Sequence, residues 1–223
     1  MPHLDRDGEV FILDLGDGEN RFNPDWVGAV TAELDRVEAA PGPKALVTAA
    51  RGKFWSNGLD LDWMGAHPDE AGPFLGSVHT LFARVLTLPL PAVAAVQGHA
   101  FAAGAMLALA HDQRVMRADR GFFCLPEVDI QLPFTMAMSE LVRSRLPVRT
   151  AHEMMTTGRR YGGTDALAAG VVDAVADEGK VLSSAVEIAR PLAGKASEVL
   201  GTIKSRLYAA AVAALQAESG PRA

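Results

Sequence analysis

The stretch Gly98-His-Ala-Phe-Ala-Ala-Gly-Ala-Met-Leu-Ala-Leu-Ala-His-Asp112 decides how this chain is read. It leaves a strand, turns, and enters a helix built almost wholly of alanine and leucine. No side chain at Ala102, Ala103, Gly104 or Ala105 is larger than a methyl group, so a ligand can lie against the backbone. The first N–H groups of a helix have no carbonyl one turn back, and the helix dipole makes that end positive. Such an end receives an oxygen carrying negative charge. Alanine and glycine at a helix start also serve close helix–sheet packing, and that structural reading stands beside the functional one.

Outward from there, Phe54-Trp-Ser-Asn-Gly-Leu-Asp-Leu61 is a second small-residue turn after a strand. Asn57-Gly58 by itself is an ordinary turn signal. Two such turns can bring two backbone donors to one oxygen, an oxyanion hole. A third apolar strand leads into Pro126-Glu127-Val128-Asp129. On these three elements the chain resembles the crotonase (enoyl-CoA hydratase/isomerase) family over about residues 10–215. It is most similar to the single-function Δ3,Δ2-enoyl-CoA isomerases, whose Ser-Asn-Gly-Leu-Asp-Leu and Glu-Val-Asp-Ile elements are matched by residues 56–61 and 127–130.

A chain of 223 residues is long enough for one domain with a sizeable core. A net charge of −6 and the absence of a basic run argue against a nucleic-acid surface. The one cysteine, Cys124, excludes an internal disulfide framework and fits a reducing compartment; it reads as a small buried apolar residue. No apolar run has the length of a membrane span, the first residues have no secretion-signal core, and the last four, Gly-Pro-Arg-Ala, are no peroxisomal tripeptide. Cytoplasm is the expected location.

Residues 10–15 read as a strand. Asn23-Pro24-Asp25 reads as a helix start, with Trp26, Val27, Val30, Leu34 and Val37 on one face. Strands are expected at 45–49, 93–96, 114–118, 122–125 and 171–175. A polar loop is expected through His67-Pro68, then a helix bearing Phe74, Leu75, Val78, Leu81, Phe82 and Val85. Further helices are expected at 135–146, 149–157 (ended by Gly158), 165–169, 180–193 and 197–216. Alternating elements with continuous apolar strands give an α/β fold with covered sheets. The resemblance sharpens this to a spiral of ββα units over residues 1–175, with a helical C-terminal trimerisation region over 176–223. It implies a homotrimer or a dimer of trimers.

What the resemblance implies about chemistry is specific. The substrate is an acyl-CoA thioester, with coenzyme A part of the substrate, no other cofactor, no metal, and no nucleic-acid or membrane partner. Removing a proton beside the thioester carbonyl makes an enolate, and the backbone amides of Leu59 and Ala103 hold its oxygen. Many relatives carry glycine at the Ala103 position. Glu127 occupies the position of the catalytic glutamate. Its apolar neighbours Phe122, Phe123, Leu125, Pro126 and Val128 predict a raised pKa. Family hydratases carry a second glutamate where Met106 stands here, and adding water takes two groups where moving a double bond takes one. The expected activity is therefore a Δ3,Δ2-enoyl-CoA isomerase with one acid/base. Alternatives are another enolate-forming enzyme (hydratase, hydrolase, decarboxylase) and a silent acyl-CoA-binding paralogue.

Substrate-binding positions carried over are Asn20, Arg21, Phe22, Ser56, Asn57, Gly58, Asp60, Gly98, Ala102, Met106, Pro126 and Thr135. Met106 also reads as core filler. Lys204 and Arg206 read as a solvated helix face or as phosphate contacts, Asp129 as a turn cap, and His99 as a structural histidine. Gln131-Leu-Pro-Phe-Thr135 stands where many relatives have a glycine-rich loop, and the chain stops earlier than many hydratases. No Gly-x-Ser-x-Gly elbow, His-Glu-x-x-His helix or Gly-Lys-Ser/Thr loop is present.

Overall fold

In the computed structural model, which describes residues 1–218, Asn23 opens α1 (Pro24–Ala39) as its chemistry predicts. Its Oδ1 accepts the Trp26 amide at 2.9 Å, with Pro24 at the first helical position. The five apolar residues expected on one face are all buried.

One sheet has six strands in the order β1-β2-β3-β5-β7-β9. β1 (His3–Asp7) and β2 (Val10–Asp14) form an antiparallel hairpin. β2, β3 (Ala45–Ala49), β5 (Ala92–Val96), β7 (Gln113–Arg117) and β9 (Ala174–Ala176) then run parallel. A second, three-stranded parallel sheet joins β4 (Phe54–Ser56), β6 (His99–Phe101) and β8 (Phe123–Cys124). Each turn of the chain passes from the large sheet to the small one and then to helix. β3 and β4 lead to α2 (Leu61–Ala66) and α3 (Pro68–Thr87), β5 and β6 to α4 (Ala103–Ala110), β7 and β8 to α5 (Met136–Arg145). This is the ββα spiral that the resemblance implied.

Both faces of the large sheet are covered, which is why its inner strands read as unbroken apolar runs. Leu46, Ala92, Ala94 and Val96 point into the main core with α3 and α4. Their alternates Ala45, Val47, Val93 and Ala95 meet Val181, Ala185, Val186 and Ala189 of α8 (Val181–Ala189). All eight residues of α4 are buried, as an all-apolar helix requires.

Several boundaries differ from the sequence reading. The loop expected through His67-Pro68 is largely helical: α2 is capped by Asp60, whose Oδ1 accepts the Trp63 amide at 3.2 Å, and α3 starts at Pro68. β1 has no sequence signal because most of it is exposed, β4 and β6 are too short to display a period of two, and the strand expected at 122–125 is present but shorter, as β8. α6 (Val148–Thr157) does end at Gly158, in the left-handed conformation (φ 63°), but the next helix is α7 (Gly163–Ala168). α8 passes into a 3-10 turn at Arg190–Lys195, where Pro191 lacks the amide that would continue the ladder. The long last helix breaks at Tyr208 into α9 (Glu198–Leu207) and α10 (Ala209–Ala217), and α10 packs on α3 and α5. No helix among the described residues is long and apolar enough to cross a membrane. The last residues of the 176–223 region, with the terminal tetrapeptide, lie outside the described residues.

Candidate active site

The entrance to α4 is strained. Ala102 has φ 49° and ψ −126°, backbone space that suits glycine, at a cost of about 1–3 kcal/mol. It is pinned there from both sides: its amide donates to the Cys124 carbonyl and its carbonyl accepts the Met106 amide, each at 3.0 Å. The small residues of this stretch divide between two tasks. Gly98 and Gly104 serve packing, since a Cβ would lie 2.3 Å from the Lys53 carbonyl oxygen or 2.6 Å from that of Ser56. Ala102 and Ala103 instead face an open cavity.

The second turn is set by Phe22. Its amide donates to the Gly58 carbonyl at 2.7 Å, and its carbonyl accepts the Asp60 amide at 2.9 Å. A parallel bridge made through residues 58 and 60 leaves the N–H and C=O of Leu59 pointing the other way. Gly58 (φ 80°) approaches α4 so closely that a Cβ would sit 3.0 Å from the Ala103 nitrogen. Among the described residues neither the Leu59 nor the Ala103 amide has an acceptor.

The remaining turn residues are scaffold. Ser56 Oγ donates to the Asn20 carbonyl (2.8 Å) and accepts the Gly58 amide (3.2 Å), while Asn20 Nδ2 donates to the Trp55 carbonyl (3.0 Å). Phe22 is fully buried and stacks on Trp26. Thr135 caps α5 through the Met138 amide (3.1 Å) and touches His79. Of the carried-over positions, Asn20, Phe22, Ser56, Gly58, Asp60, Gly98 and Thr135 thus do not line the cavity. Arg21, Asn57, Ala102, Met106 and Pro126 do, together with Glu127, Leu59 and Ala103.

The cavity holds about 440 Å³. Glu127 is 6% exposed, its Oε2 has no hydrogen-bond partner among the described residues, and burial pushes its carboxyl up to about 7 against a smaller opposing backbone hydrogen bond. The expectation of a raised pKa holds, but two of the neighbours that prompted it, Phe122 and Val128, are exposed. The apolar wall comes instead from Met106, Ile130, Leu132, Pro133 and Met138. A tight turn, with the Asp129 and Ile130 amides on the Pro126 carbonyl, presents the carboxylate. Asp129 itself is exposed and outside the lining. Asp62 is the other carboxylate there; its side chain is 92% exposed and bonded to Arg21 at 2.9 Å.

The far end of α4 is held by cations, opposite in sign to its dipole. Arg145 donates to the carbonyls of Leu109 (2.8 Å), His111 (2.7 Å) and Asp112 (2.9 Å), and its guanidinium covers the Tyr208 ring where the last helix breaks. Lys204, expected on a solvated face or a phosphate, is buried and donates to the Leu90 carbonyl (2.8 Å) and Asp112 (2.7 Å). His111 lies between Thr48 and the Leu107 carbonyl, and burial lowers it to about 3. His99 accepts the Phe122 amide at 3.2 Å, a structural role. Among the described residues no group of three or more His, Cys, Asp or Glu could hold a metal.

Sequence reasoning missed Arg160, Phe101 and Met138 on the cavity wall. Arg160 arrives there because Phe123 and Tyr161 form an antiparallel bridge, a pairing with no local signature.

Comparison with known proteins gives this geometry its context. Residues 9–221 match the family "Enoyl-CoA hydratase/isomerase". The chain is 37% identical over 222 residues to an Arabidopsis thaliana protein named enoyl-CoA delta isomerase 2, peroxisomal, covering 93% of this chain and 92% of that one. It is 36% identical to an Escherichia coli carnitinyl-CoA dehydratase, covering 91% and 78%. A crystal structure of a probable enoyl-CoA hydratase from Mycobacterium tuberculosis superposes with a TM-score of 0.91 at 29% identity, covering 98% and 92%. With its ββα spiral and its buried glutamate beside two open amides, the chain belongs to the enoyl-CoA hydratase/isomerase family and is an enzyme of that family.

Proposed function

We propose that the protein is a Δ3,Δ2-enoyl-CoA isomerase in which Glu127 is the only acid/base. The observation that carries this reading is the pairing of Glu127 with Met106 in one cavity: one desolvated carboxylate, and a thioether in the family's second-carboxylate position. A carboxylate with a pKa near 7 takes a proton from C2 of a 3-enoyl thioester and still returns it to C4. Charge that develops on the thioester oxygen meets the amides of Leu59 and Ala103 at the positive end of α4. Each such donor is worth about 3 kcal/mol in a water-excluded site. Met106, Ile130, Leu132 and Met138 form the wall for the acyl chain.

Hydration needs a second group to position and deprotonate a water. Asp62 is open to solvent and bonded to Arg21, which suits it poorly to that task. In this reading coenzyme A is part of the substrate and no further cofactor takes part. The trimer or dimer of trimers, and a cytoplasmic setting, accompany it as proposals; the exposed Val199, Ile203 and Leu207 stripe on α9 supports a subunit contact.

The test is the ratio of two activities of the unmodified protein. Incubation with a 3-enoyl-CoA should yield the conjugated 2-enoyl thioester, while 2-enoyl-CoA is hydrated weakly or not at all. Vigorous hydration would contradict the one-carboxylate reading, and absence of C2 proton exchange with deuterated solvent would favour a silent paralogue. Met106→Glu should add at most a small hydration rate and lose some stability, because it buries a charge.

A further inference from the structure

Two arginines line the cavity, and they are not equivalent. Arg21 is engaged by Glu19 (2.5 Å) and Asp62 (2.9 Å), so its guanidinium is already neutralised. Arg160 has no acidic side chain bonded to it among the described residues, although the adjacent Arg159 is tied to Glu153 at 2.9 Å. The backbone fixes where Arg160 stands. Phe123 and Tyr161 exchange amide hydrogen bonds of 2.9 and 3.0 Å, which sets residue 160 opposite Cys124 on the cavity wall. Its guanidinium lies 5.7 Å over the Phe101 ring, another wall residue. The guanidinium also hydrogen-bonds the Cys124 thiol, a weak acceptor, so the rest of its planar fork of donors stays open to a carboxylate or phosphate.

Arg160 is not placed to ionise the base. Burial raises the pKa of Glu127 against a backbone hydrogen bond that lowers it, and among the described residues no cation contributes. A cation that shares the cavity yet leaves the base alone is free to act on the substrate.

We propose that Arg160 is a substrate-recognition residue that holds an anionic group of the bound thioester, a carboxylate on the acyl chain or a phosphate of coenzyme A. This rests on the reading that the cavity receives an acyl-CoA thioester. The two sources share one chemistry, a planar or tetrahedral oxyanion accepting from the guanidinium. They differ in which part of the substrate reaches Phe101.

The test compares the parent, Arg160→Gln and Arg160→Lys on three thioesters: 3-hexenoyl-CoA, 3-hexenoyl pantetheine, which lacks every phosphate, and 3-hexenedioyl-CoA, which adds a carboxylate. Arg160→Gln should raise KM about tenfold or more for the substrate bearing the recognised anion, with kcat little changed. Arg160→Lys should recover most of the loss. A defect with both CoA thioesters but not with pantetheine assigns the phosphate. A defect confined to 3-hexenedioyl-CoA assigns the acyl carboxylate. Equal defects on all three thioesters, or none, would overturn the proposal. Calorimetric titration of coenzyme A and of adipoyl-CoA reads the same contact without turnover, so an inactive parent would refute the isomerase reading while leaving this one decided.

Discussion

Gly58 and Ala103 are locked face to face: a Cβ on Gly58 would stand 3.0 Å from the Ala103 amide nitrogen and 3.0 Å from the Phe101 carbonyl oxygen. The turn that aims the Leu59 amide and the helix that aims the Ala103 amide therefore set each other's position. Gly58→Ala should strain a φ of 80° and force the two elements apart, destabilising the protein by about 1–3 kcal/mol and cutting turnover severely. Thermal unfolding and steady-state kinetics check both halves. Unchanged turnover would show that the spacing of the two amides does not matter.

Ala103 is the first residue of α4, where a proline removes an N–H that the helix ladder does not use. Ala103→Pro should abolish turnover while Ala103→Gly stays active, with circular dichroism establishing that both fold. Because proline restricts its predecessor, the pair is best compared in an Ala102→Gly background as well. Equal activity of the two variants would remove Ala103 from the mechanism.

Glu127→Gln should lower kcat by about 10²–10⁴-fold with little change in acyl-CoA affinity. The parent's kcat/KM should rise with pH through about 7, the value to which burial lifts the carboxyl, and that limb should vanish in the variant. Stability should move in the opposite direction. The unfolded carboxyl releases its proton near 4.5 and the folded one only near 7, so the folded state binds more protons in between. Parent stability therefore falls as pH rises through that window, by up to about 3 kcal/mol relative to Glu127→Gln. Denaturant titrations at pH 4 and pH 8 check the sign. A difference independent of pH would mean the carboxyl is not desolvated.

Lys204 joins α9 to the end of α4 through Asp112, which also accepts the Ala92 amide at 2.8 Å. Lys204→Met keeps the stem but strands a carboxylate and the Leu90 carbonyl. The cost should be about 2–3 kcal/mol, below that of a wholly buried pair because Asp112 keeps some solvent. Denaturation midpoints measure it, and a neutral effect would return Lys204 to the solvated face that its sequence context suggests.

Read alone, the sequence determined the features that neighbouring residues control. Asn23-Pro24 starts a helix, Gly158 stops one, the runs at 45–49 and 93–96 are buried strands, and α4 can only be a core helix. Its motifs also brought the family, the spiral and the residues Leu59, Ala103 and Glu127 into view. Only the tertiary structure decided the rest, since those properties depend on contacts between residues far apart in the chain. Phe22 sets the turn that carries the Leu59 amide, Met106 and Met138 share a cavity wall with the buried Glu127, Glu19 and Asp62 neutralise Arg21, and the Tyr161 bridge delivers Arg160. A carboxylate's pKa follows the atoms packed around it, and an arginine's charge is available only where no partner has taken it. Neither quantity is written in the adjacent residues.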